Sequence, residues 1–100
     1  MVFVRLALFP GATAQHYARL QQVLDAPAPA ERYFFAAGPT TDGWQVVQAW
    51  RSQEDLDRFN ADVLAPAYAA LGGTPFPADP VVTDFEAVQT APAPPHSPEG

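Results

Sequence analysis

Apolar residues in this chain recur with a strand's period of two, then with helical spacing, then with a period of two again, and the succession repeats in the second half. That alternation narrows the fold further than any other feature. In VFVRLAL (2–8), Val2, Val4, Leu6 and Leu8 share one face, while Phe3, Arg5 and Ala7 share the other. Pro10-Gly11 ends the strand, and TAQHYARLQQVL (13–24) carries Tyr17, Leu20 and Leu24 at helical spacing behind Thr13, a suitable N-cap. Pro27 and Pro29 keep 25–31 out of any helix, so that segment is a connector. RYFFAA (32–37) reads as an aromatic-rich strand. Gly38-Pro39 and Asp42-Gly43 bracket a loop, and GWQVVQAWR (43–51) is the hairpin partner.

Ser52 followed by QED opens a second helix. Its hydroxyl can cap, Asp55 occupies the capping-box position, and acids face the positive end of the helix dipole. Leu56, Phe59, Val63 and Leu64 form the buried stripe, a break is expected near Pro66, and Gly72-Gly73 stops the helix. VVTDFEAV (81–88) alternates again after the loop 74–80. The expectation is one α+β domain over 1–89 with the order β-α-β-β-α-β, a ferredoxin-like plan. It gives a four-stranded antiparallel sheet with two helices on one face and the first and third strands central. The Pro-rich residues 90–100 are expected to be a disordered tail.

Two helices leave one sheet face uncovered. The aliphatic set Val2, Val4, Leu6 and Leu8 is expected to meet the helices, together with Val81, Thr83, Phe85 and Ala87. Phe3, Arg5 and Ala7 would then lie on the open face with Val82, Asp84, Glu86 and Val88, where Arg5 can pair with Asp84 or Glu86. A face this mixed suits a second sheet, hence a homodimer through the sheet face. The alternative is a solvated outer face of the kind antiparallel sheets often have.

Charge and composition exclude several partners. Eleven acids against five Arg give a net charge of −6, the wrong sign for a nucleic-acid surface. No apolar run approaches the ~20 residues of a membrane span. The N-terminal run has Arg5 in its middle, unlike a secretory signal, so a cytoplasmic protein is expected. Without cysteine there is no disulfide and no thiolate nucleophile or metal site. No metal-ligand spacing and no phosphate-binding glycine loop is present, so neither a metal nor a cofactor is expected. Asp84 and Glu86, two apart on a strand, read as a salt-bridged surface rather than as a catalytic pair.

His16 is the one imidazole outside the tail and therefore the candidate for acid–base work near pH 7. The plainer reading, and the favoured one, is an exposed helix residue or part of the N-terminal cap. Tyr17, Tyr33, Phe35, Trp50, Phe59 and Tyr68 gather on or near the helix-facing side with Gln48 and Asn60. Buried Tyr and Trp want hydrogen-bond partners, so a partly polar cavity for a flat aromatic ligand stands beside plain core filling. Asn60, beside Phe59 and Val63, either reaches solvent or meets a ligand or backbone group.

The segments AGPTTDGWQVVQAWRS and SQEDLDRFNADVLAPAYAALG, with the element order over 2–89, resemble the antibiotic-biosynthesis-monooxygenase-like (ABM-like) members of the dimeric α/β-barrel superfamily. The resemblance implies a homodimer whose sheets form a shared barrel, with one cavity per subunit between sheet and helices. It implies either a cofactor-independent monooxygenase of a phenolic or quinone-like small molecule or a non-catalytic binding or dimerisation module of the same fold. Tyr17, Trp50, Phe59, Asn60 and Tyr68 would hold the ligand, with His16 as base. The second helix has no His, which argues against the haem-degrading branch.

Overall fold

Pro10 and Gly11, the latter at φ 72°, close the first strand, β1 (Val2–Pro10). In this computed structural model, which describes residues 2–24 and 26–91, it is followed by helix α1 (Ala14–Val23), the hairpin of β2 (Arg32–Thr40) and β3 (Gly43–Trp50), helix α2 (Gln53–Phe59), a π-helical turn (Asn60–Leu64), helix α3 (Ala65–Ala70) and β4 (Val81–Ala87). The disordered tail expected over 90–100 falls outside the described residues from 92 onward. The four strands form one antiparallel sheet in the order β2-β3-β1-β4. This α+β arrangement is compatible with a ferredoxin-like fold.

The hairpin is tighter than the turn residues suggest. Gly38 and Pro39 stay inside β2, where Pro39 is tolerated because β2 is an edge strand. The Thr40 hydroxyl accepts hydrogen bonds from the backbone N–H of Asp42 and Gly43 at 3.2 Å each. Gly43 is obligatory, since a Cβ there would overlap the Phe9 carbonyl oxygen. A second irregularity lies between Arg32 and Phe34: Arg32 pairs with Trp50 and Phe34 with Ala49, so Tyr33 is an extra residue, a β-bulge.

The helices cover the face opposite to the one the aliphatic alternation suggests. Register aligns Phe3, Arg5, Ala7 and Phe9 of β1 with Trp50, Gln48, Val46 and Trp44 of β3. Those are the residues that meet the helices. Ala7, Trp44 and Val46 pack with Leu20, Ala67 and Phe76, and Phe3 and Trp50 with Leu56. Val4, Leu6 and Leu8 instead share the open face with Phe85, Thr83 and Val81. The physical reason is volume. Two helices stand off the sheet by a gap that rings fill, so Phe3, Phe9, Trp44 and Trp50 take the inside. The Arg5–Asp84 pair does form, as a bidentate contact of 2.8 and 3.0 Å, but on the helix side.

The helix after Ser52 runs through Pro66 without the expected break. Asn60–Leu64 widens to a π turn immediately ahead of Pro66, so the irregularity the proline calls for is taken up inside a continuous helix.

Candidate functional site

Between the helices and the sheet lies a cavity of about 280 Å³. Its floor is Ala7 and Phe9 of β1, Phe35 of β2, and Val46 and Gln48 of β3. Tyr17, Leu20, Gln21 and Leu24 form the α1 wall. Phe59, Asn60, Val63, Leu64 and Tyr68 form the wall opposite, and Ala26, Pro27 and Pro29 of the connector lie along the rim. Asn60, Val63 and Leu64, at i, i+3 and i+4, share the helix face that borders the cavity.

The aromatic walls are braced by ring contacts. Tyr17 stacks on Trp44 at 5.1 Å between centroids, Tyr68 meets Phe76 edge-on at 6.5 Å, and Phe59 tilts over Trp50 at 5.4 Å. Burial pushes the phenols of Tyr17 and Tyr68 up from their ordinary pKa, so both are neutral donors at physiological pH. Trp50 Nε1 donates to Gln48 Oε1 at 2.8 Å, which leaves the Gln48 amide nitrogen as a remaining donor at the floor. No hydrogen bond ties the Asn60 side chain to another described group. The indole N–H of Trp44 is a buried donor without a partner among the described residues; it belongs to the core behind Tyr17, not to the cavity lining.

Of the residues expected to hold a ligand, Tyr17, Phe59, Asn60 and Tyr68 therefore come together around one cavity, and Trp50 does not join them. Trp50 is 1% exposed and belongs to the core under Phe59, meeting the site through Gln48, Phe59 and Arg32. His16 is not on the cavity lining either. Its Nδ1 accepts the Thr13 backbone N–H at 2.9 Å, completing the reciprocal cap at the start of α1. That bond puts the ring proton of the neutral imidazole on Nε2 and occupies the nitrogen a general base would use.

Sequence reasoning missed Arg32. It borders the cavity, and its guanidinium lies 4.7 Å from the Phe35 ring centre, 5.7 Å from Phe59 and 6.0 Å from Trp50. The bulge explains the omission. Strict alternation separates positions 32 and 35 onto opposite faces, whereas the extra residue Tyr33 brings both to the helix side. Desolvation pulls the Arg32 pKa down from its ordinary value, against the influence of the nearby Tyr17 phenol. No Asp or Glu is among the described residues lining the cavity. Nor do three or more His, Asp or Glu side chains cluster into a metal-ligand set among them.

Compared with protein-family models, curated proteins and solved structures, the chain matches none. Among the described residues no helix is long and apolar enough to cross a membrane.

Proposed function

We propose that the chain is a small-ligand-binding protein that takes a flat aromatic molecule into the helix–sheet cavity and assembles as a homodimer through its open sheet face. The observation that carries the binding reading is the cavity itself: apolar and aromatic walls, with the few polar groups of Tyr17, Gln21, Arg32, Gln48 and Asn60 around it. Such sites bind by burying rings and orienting them with a small number of hydrogen bonds. The dimer reading rests on the open face, where Phe34 is 55% exposed, Val81 61% and Phe85 49%. With Val4, Leu6 and Leu8 beside them on the same face, they make an apolar surface of the kind a partner covers.

Cofactor-independent oxygenation is the second reading, and the position of Arg32 favours it. A guanidinium beside a bound phenol stabilises the phenolate, the electron-rich form that molecular oxygen attacks. Overall, a phenol and O2 give a quinone and water, so no external reductant is needed. The resemblance to the dimeric α/β-barrel oxygenases points the same way. His16, spent on the helix cap, has no part in this reading.

Native mass spectrometry of freshly purified protein tests the proposal. The expected result is a dimer, with a non-covalent adduct of a few hundred daltons retained. A monomer with no retained mass at any concentration overturns the assembly. Oxygen uptake with phenolic compounds that bind separates the oxygenase from the binding module.

A further inference from the structure

Arg32 is an anomaly in a cavity otherwise walled by aromatic and aliphatic side chains and neutral amides. Burying part of a charge is unfavourable unless a counter-charge or hydrogen bonds compensate. The chain's other ion pairs show the usual arrangement: Arg5 holds Asp84, and Arg51 and Arg58 hold Asp55. Arg32 pairs with no carboxylate among the described residues. Instead its guanidinium sits among Phe35, Phe59 and Trp50. Ring faces position a guanidinium and offset some of its desolvation, but they leave its fork of N–H donors unfilled. The bulge at Tyr33 is what turns this side chain toward the cavity, and bulges of this kind often re-aim a side chain beside a functional site.

Resting on the ligand-binding reading above, we propose that the occupant is an aromatic acid, ionised at neutral pH, whose rings lie between Tyr17 and Phe59 and whose carboxylate is received by Arg32. Planar bidentate recognition of carboxylate is what a guanidinium does better than any other side chain. The neutral phenol of Tyr17 and the amide of Gln48 are further donors within the same cavity. No acidic side chain lines the described wall to repel an anion. Site selectivity therefore runs against the protein's overall charge of −6, which predicts that binding is governed locally and not by long-range steering.

The test compares two probes of one shape: 2-naphthoate and its neutral analogue 2-naphthamide, titrated into the full chain. Binding is followed by shift changes at the amides of Gln21, Gln48 and Asn60. The expected result is at least about tenfold tighter binding of the naphthoate, the ratio that corresponds to ~1.4 kcal/mol. Arg32→Gln brings the two probes to parity, and Arg32→Lys retains part of the preference. Should Arg32→Gln fail to fold, the wild-type comparison of the two probes still decides. Equal affinities overturn the anion assignment while leaving the cavity as a site for neutral aromatics. If neither probe shifts the lining residues, or both shift only the open-face residues Phe34 and Phe85, the binding reading falls with it.

Discussion

Trp50 and Arg32 exchange the roles that their places in the sequence suggest. By composition Trp50 looks like a pocket wall, because Trp has both a large apolar face and a donor. The fold buries it at 1% exposure against Phe3 and Leu56 and satisfies its N–H with Gln48. Trp50→Ala is therefore expected to cost about 3–5 kcal/mol of stability through the void it leaves. A urea titration of wild type and variant measures this. A change below ~1 kcal/mol with lost ligand binding would return Trp50 to the site. Asn60 resolves in the other direction: the sequence leaves it between solvent and ligand, and the fold sets it at the cavity wall. Its amide is legible as a candidate because an amide next to a buried stripe needs a partner. The Arg32 guanidinium is not, because no pattern in RYFFAA announces a bulge.

Among the elements, the start of α2 is the segment whose local sequence and structure agree most closely. The Ser52 hydroxyl accepts the Asp55 N–H at 3.1 Å, as the capping signature requires. Asp55 in turn receives Arg51 at 2.8 and 2.9 Å, the Ser52 hydroxyl at 2.8 Å and Arg58 at 3.2 Å. The Arg51 hydrogen bonds, followed by that of Ser52, hold the Asp55 carboxyl down to about 2. Because the folded pKa lies below the unfolded value of ~3.9, this contribution is fully present above that value and is lost as pH falls toward about 2. Thermal melting across that window is expected to show a steeper loss of stability in wild type than in Asp55→Asn. Asp84, lowered by Arg5, adds to the wild-type slope in the same direction and remains in the variant. Parallel slopes would mean that Asp55 is not held in the folded state. The α1 cap carries a related lesson. Thr13 was legible as an N-cap, but His16 as its reciprocal partner competes with His16 as a base, and geometry gave the imidazole to the cap.

For the molecule as a whole, the decisive feature is the sheet face the helices leave bare. Leu6 lies in the middle of β1 on that face, opposite Val47 on one side and Thr83 on the other. In the proposed dimer, Leu6→Asp places a charge in an apolar interface and is expected to yield a folded monomer. Light scattering coupled to gel filtration reads the mass, and circular dichroism checks that the helices persist. A dimer that survives the substitution removes this face from the assembly. The sequence by itself determined the succession of strands and helices, the helix starts, the antiparallel sheet with β1 and β3 inside, and the gathering of aromatics between sheet and helices. All of these follow from periodicity, capping and turn chemistry, which act over a few residues. Only the tertiary structure decided which face of β1 turns inward, since a period of two is satisfied equally by either face. The choice came from how well rings, rather than branched aliphatics, fill the space under two helices. The bulge at Tyr33 and the place of Arg32 beside the cavity were decided the same way, by packing between segments far apart in the chain.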